Sequence, residues 1–311
     1  MSLPENKGGG MKKDVEVYYH LPGLFEFYEL YKRFLRLFRE HREYFYDWCD
    51  IGSIYGAPAD CLWGGGRVGF GDEAPENVAE LMKEYDISAR LTFSNSLLRP
   101  EHLSDRKCNE LCALFKKTGK ADNGVIITSD LLLAHIRDRF PGFYFVSSTT
   151  KVLTEFEELE KELDRPEFRY VVPDFRLNRK FTEFAGLSDV QKTKVEFLCN
   201  ECCWIDCHDR KRCYENVSRK SLGEECEEHV CVSPDAAKGY RFSAAMENPA
   251  FIGTEDIRNL YFPGGFTNFK LEGRSLGSAV ILEILLYYMT KPEYQLKVRE
   301  EIYLDSELDL F

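Results

Sequence analysis

The chain has 311 residues, with 41 Lys and Arg against 53 Asp and Glu, a net charge of −12. A composition 44% apolar and 14% aromatic is that of a folded chain and excludes an extensively disordered one. The acidic balance argues against a nucleic-acid footprint, which shows as a basic excess. The longest apolar run, 279–289, falls short of the roughly 20 residues a membrane helix needs.

The opening MSLPENKGGG is polar and Gly-rich, so 1–10 reads as a tag or flexible leader and 11–311 as a single domain. No secretory signal is visible, and a cytoplasmic location is expected. Residues 15–19 are β-branched and aromatic, which predicts a strand. In 24–44 the apolar positions Phe27, Tyr31, Leu35 and Phe38 recur at helical spacing. The alternation then continues, with strands predicted at 50–55, 87–93, 124–128, 143–147, 168–172 and 194–198. Helices are predicted between them at 76–85, 105–117, 130–140, 154–163 and near 181–187. The rhythm breaks over 199–250, which is rich in Cys and charge. It resumes with a helix at 254–261, a strand at 267–271 and a helix at 275–290.

Eight βα units predict the α/β class and a closed (β/α)₈ TIM-like barrel, with a cysteine-rich excursion after strand seven. An open doubly wound sheet is the alternative, but its G-x-G-x-x-G marker is missing after the first strand. The glycine-rich run 64–71 follows the second strand and reads as a loop rather than a phosphate cradle. No nucleotide cofactor is expected.

In such a barrel, residues at the C-terminal ends of strands face the active-site mouth. His20, Tyr55, Asn95, Ser129, Ser148, Asp174, Asn200, Lys270 and Arg274 meet that rule. Lys270 and Glu272 alternate with Leu271, so they share one strand face and can point into the barrel. Gly273 lets the chain turn, and Arg274 is expected at the start of the last helix, where an anion meets a guanidinium and helix N–H groups. The plainer reading is a buried ion pair. His20, ahead of Leu21-Pro22-Gly23, is either a general acid or base or a solvated loop histidine.

Seven of the eleven cysteines lie between Cys199 and Cys231. Thiolates three or four residues apart on a loop can share one metal, and a more distant pair can complete a tetrahedral shell. The same thiolates can hold a cubane iron–sulfur cluster, one on each iron. The plain alternative is a set of buried or spare thiols.

The run V-E-F-L-C-N-E-C-C-W-I-D-C-H-D-R-K-R-C-Y resembles a pattern of the collagenase-like peptidase family U-32. In its related barrels a strand ending N-E-G-C precedes C-P-x-R-x-x-H-Y. Asn200-Glu201, Cys203, Cys207, Arg210 and Tyr214 match, and Cys213 takes the place of the His. A second stretch, Phe251-Ile252, Glu255-Asp256-Ile257, Gly265 and Lys270-Leu271-Glu272-Gly273-Arg274, resembles the family's closing segment. The run Val171-Val172-Pro173-Asp174 with Asn178-Arg179 resembles its strand-six motif loosely. The family's opening L-L-A-P-A-G is absent.

The resemblance implies a TIM-like barrel in a family of peptidases and of RNA-modifying and quinone-pathway hydroxylation proteins. Several of these carry a four-cysteine iron–sulfur cluster and work without oxygen. On that alignment the metal ligands are Cys203, Cys207, Cys213 and Cys231, with Cys226 as the spare for the fourth. The cofactor is a 4Fe–4S cluster or zinc. The function expected is redox or hydroxylation-type chemistry on a small anionic molecule or RNA, helped by a partner protein or electron donor. Lys270, Glu272, Arg274, Asn200, His20 and Asp174 are the candidate substrate-binding residues. A U-32-type peptidase, or a non-catalytic binding protein with a structural zinc, are the rivals. No G-x-S-x-G or H-E-x-x-H motif supports the first.

Overall fold

The computed structural model describes residues 16–66, 73–116, 119–234 and 236–304. The leader 1–10 and positions 67–71 of the glycine-rich run lie outside them. Eight strands alternate with helices: β1 (Val17–Pro22), β2 (Cys49–Gly56), β3 (Ser88–Phe93), β4 (Gly124–Ile127), β5 (Tyr144–Ser147), β6 (Phe168–Val171), β7 (Glu196–Leu198) and β8 (Asn268–Lys270). The pairings are all parallel, in the order β6-β5-β4-β3-β2-β1-β8-β7. A single bridge from Val171 to Val195 joins the two edges. The chain is therefore a (β/α)₈ TIM-like barrel.

The helices run α1 (Tyr28–Glu40), α2 (Pro75–Tyr85), α3 (Arg106–Phe115), α4 (Asp130–Arg139), α5 (Phe156–Leu163), α6 (Phe181–Ala185) and α7 (Asp189–Lys194). After β7 come α8 (Arg210–Ser221), α9 (Phe242–Met246), α10 (Thr254–Asp256), α11 (Ser278–Met289) and α12 (Gln295–Leu304). Local chemistry starts several of them. Ser129 accepts from the Leu132 N–H at the start of α4, and Asp105 from the Cys108 N–H at the start of α3. Ser188 and Gln191 form a capping box on α7, which takes Lys194 from the strand predicted there.

Two elements escape the periodicity. In α8 the buried residues are Arg210, Tyr214 and Ser218. Their spacing of four is helical, but polar groups carry it, so no apolar stripe marks the helix. The C-terminal α12 has little amphipathic character and was not expected. The predicted helix at 254–261 is split, with α10 giving way to a π-helical turn at Ile257–Tyr261.

Outward-facing strand residues pack against the helices: Phe269 is fully buried, its ring 5.9 Å from Tyr261 and 6.2 Å from Phe197. Inward-facing residues fill the barrel, with Tyr55, Ile126, Tyr144, Val146, Val172 and Leu198 in one cluster. Gly124 makes room for the Tyr144 ring, since a Cβ there would stand 2.5 Å from it. Phe269→Ala should lower unfolding stability by about 3–5 kcal/mol, measured by denaturant titration, while Phe269→Leu loses clearly less.

Candidate active site at the barrel mouth

Strand alternation sends Arg90, Glu196 and His20 into the barrel, where all three are buried. Arg90 Nη1 donates to Glu196 Oε2 at 2.5 Å, and its Nε donates to the Tyr144 hydroxyl at 2.8 Å. Its guanidinium carbon lies 4.7 Å over the Tyr170 ring. His20 bonds through Nδ1 to Ser53 Oγ (2.9 Å) and through Nε2 to Asn268 Oδ1 (3.2 Å). Burial, then the charge of Arg90, lowers the His20 pKa to about 3, so the imidazole is neutral at ordinary pH. Burial opposes the ionisation of Glu196, but Arg90, His20 and Lys270 outweigh it and hold the carboxyl at about 2.

Lys270, 5% exposed, caps this network. Its Nζ stands 3.7 Å from Glu196 Oε1 and 3.7 Å from the centre of the Tyr55 ring. Burial, only partly offset by Glu196, lowers its pKa to about 8. The Tyr55 hydroxyl donates to the Leu271 carbonyl at 2.6 Å, which fixes the ring beneath the ammonium.

Above Lys270, at the C-terminal end of the strands, lies a cavity of about 70 Å³. Tyr55, Lys270, Glu272, Arg274, Glu201 and Tyr214 are among its walls. Arg274 donates from Nε to Glu26 at 3.0 Å and from Nη2 to the Ala57 carbonyl at 2.9 Å. Its Nη1 faces Gly66, itself part of the wall, where a Cβ would stand 3.4 Å away.

The excursion crosses this mouth. Buried Arg210 donates to Asp174 Oδ2 at 2.8 Å, to Glu201, and to the Tyr214 hydroxyl at 3.1 Å. Arg176 holds the other oxygen of Asp174 at 2.6 Å. Asn95 donates to the Ser218 carbonyl at 3.1 Å, and the Ser96 N–H to Ser218 Oγ at 3.2 Å. Arg210 and Ser218 thus anchor α8 to the mouth, with Tyr214 buried between them.

The structure separates the predicted substrate-binding residues. Lys270, Glu272 and Arg274 meet at the cavity. Arg274 precedes α11 by four positions, so it does not open that helix, and its carboxylate partner is Glu26. His20 is not a loop histidine; it lies inside β1 below the cavity, engaged on both ring nitrogens. Asn200 clamps the backbone of Glu272, accepting from its N–H at 2.7 Å and donating to its carbonyl at 3.1 Å. Asp174 is committed to Arg210 and Arg176. Sequence reasoning missed the Arg90–Glu196 pair and the part Glu26 plays. The signal for the pair was one charged residue in each of two otherwise uncharged strands.

Cys203, Cys207, Cys213 and Cys226 are half-buried and Cys231 is exposed. The Cys203 N–H donates to Glu201 at 3.1 Å, and the Cys207 carbonyl accepts from Arg176 at 2.7 Å. Cys213 lies in the first turn of α8, and Cys226 lies against that helix, accepting from Asn216 at 3.5 Å. Among the described residues, the group of three ligand atoms within 4.8 Å of one another is Glu201, Cys202 and Glu272, at the cavity rim. No three of the predicted cysteines draw together that closely.

A solved structure described as that of the U32 peptidase Mk0906 has the same fold, with a TM-score of 0.50 and 14% identity over 88% of this chain and 97% of that one. That likeness is one of fold. No family model and no curated protein matches the chain. No helix among the described residues is long and apolar enough to cross a membrane.

His20 and Glu196 both have folded pKa values below their unfolded ones, about 3 against 6.5 and about 2 against 4.5. The unfolded chain therefore binds the extra protons, and stability falls through His20 as pH drops from 6.5 towards 3 and through Glu196 from 4.5 towards 2, by up to about 1.4 kcal/mol per pH unit for each group. In His20→Gln the decline between pH 6.5 and 4.5 should flatten relative to the parent, read from urea unfolding at each pH.

Proposed function

We propose that this chain is a barrel enzyme that binds a small anionic molecule at its mouth. In this reading the cysteines of the excursion carry an iron–sulfur cluster for redox or hydroxylation-type chemistry. The observation that carries it is the meeting of Lys270 and Arg274 with Glu201 and Glu272 around one cavity at the C-terminal end of the strands. Arg274 is held by Glu26 and Ala57, with Nη1 turned to the cavity wall, which suits it to orient an anion. Lys270, with a pKa near 8, holds an anion when protonated and accepts a proton at Nζ when it is not. Glu272, its backbone fixed by Asn200, is placed to exchange a proton at the rim. A cavity of about 70 Å³ suits a small molecule; an RNA would have to offer it a single nucleotide.

Cys203, Cys207 and Cys213, with Cys231 or Cys226, would hold the cluster. Tetrahedral zinc sets its sulfurs about 3.8 Å apart. A cubane spreads one thiolate to each iron; no three of these cysteines stand within 4.8 Å of one another. When bound, the cluster supplies single-electron transfer, for which an external donor or partner protein is required. A peptidase is the rival reading: the described residues lining the cavity include no His to act as base, while Ser94, Ser148 and Ser275 offer hydroxyls and Cys202 lies at the rim.

Purification without oxygen should give brown protein with absorbance near about 400 nm and about four irons per chain. Cys203→Ser and Cys207→Ser should each abolish both. Loss in Cys226→Ser with retention in Cys231→Ser would move the fourth ligand. Colourless protein holding one zinc would favour a structural site and sink the redox reading. Arg274→Gln and Lys270→Met should each weaken binding of inorganic phosphate about ten- to hundredfold, read by titration calorimetry. Unchanged affinity would remove the anion from the mouth.

A further inference from the structure

Four cysteines lie outside the excursion, and Cys49, Cys61, Cys108 and Cys112 are all buried. Two of them meet. Cys61, in the loop after β2, and Cys108, in the first turn of α3, place their sulfurs 3.0 Å apart across 47 positions of sequence. A disulfide needs about 2.05 Å, so closure asks for a shift of roughly one ångström.

The elements carrying the pair are fastened on both sides of it. Asp60, beside Cys61, forms an ion pair with Lys107, beside Cys108. Two residues beyond Cys61, Trp63 Nε1 donates to the His102 carbonyl at 2.8 Å. The loop is folded on itself by the Cys61 N–H to Pro58 carbonyl bond (3.1 Å) and the Gly64 N–H to Cys61 carbonyl bond (2.9 Å). The Cys108 backbone is fixed by Asp105 at 2.8 Å. Cys112 lies one turn further along α3, but no three sulfurs here approach within 4.8 Å of one another, so the geometry is that of a pair and not of a metal shell.

We infer that Cys61 and Cys108 are a disulfide-forming pair, oxidised by a small-molecule disulfide, whose closure ties the β2–α2 loop to α3. One cysteine thiolate attacks a sulfur of the oxidant, breaking its S–S bond and releasing one thiol. The second cysteine thiolate then displaces the other half, so the S–S bond forms within the protein. Two protons leave the cysteines, and two electrons reduce the oxidant to two thiols. Contact with Cys61, together with burial, raises the Cys108 pKa, and burial raises that of Cys112. Exchange therefore proceeds when the loop opens, and the folded protein reacts slowly. The tie has a direct neighbour in the mouth. The same loop begins at Ala57, which Arg274 holds, and includes Gly66 in the cavity wall.

The test equilibrates the full chain with glutathione and glutathione disulfide, starting from reduced protein and from protein refolded in the mixture, until the products stop changing. The samples are quenched in acid, alkylated in denaturant and mapped as peptides without reduction. The Cys61 and Cys108 peptides should be recovered joined to each other, and reduction should lower the Tm. In Cys108→Ser the joined peptide should vanish and the Tm should no longer respond to reductant. Recovery of both cysteines as alkylated thiols at the most oxidising ratio, from both starting points, would overturn the inference. So would cross-linking of Cys61 to Cys112 instead.

Discussion

The inside of this barrel is organised by one buried carboxylate. Removing Glu196 from water is affordable only because Arg90 meets it at 2.5 Å, with Lys270 on its other oxygen. His20 is neutral, so one negative charge faces two positive ones. The floor of the mouth is left with an excess of one positive charge in a poorly hydrated place. Burial is the first cause of the lowered Lys270 pKa, with the Arg90 charge adding to it and Glu196 opposing it.

The same arrangement explains how much was legible in the sequence. The β and α runs were readable because apolar residues recur at two or at three and four, and barrel closure follows from their count. Lys270 and Glu272 could be placed on one face because Leu271 stands between them, and both do line the cavity. What stayed hidden depends on pairing between distant segments. Nothing local tells that Arg90 will meet Glu196 across 106 positions, or Glu26 meet Arg274 across 248. Helix α8 stayed hidden because its buried stripe is Arg, Tyr and Ser rather than apolar residues.

His20 shows the opposite error. Its place before a Pro-Gly turn suggested a solvated loop, yet the strand continues through Pro22 and holds the ring inside. The register explains it: His20 lies beside Ser53 on one neighbouring strand and Lys270 on the other, so the residue is hemmed in laterally before the chain turns. A solvated histidine and an interior one have the same local sequence here; the neighbours on β2 and β8 decide between them.

The barrel wall has a seam. Seven strand junctions are ladders, while β6 meets the segment before β7 through the lone Val171–Val195 bridge. Asp174 follows β6 and Glu201 follows β7, and Arg210 grips both. The cysteine-rich segment therefore acts as a buckle across the gap in the hoop. A change in that segment's fold would be transmitted as slack between two staves of the barrel, which places the cysteines in mechanical contact with the mouth they cover.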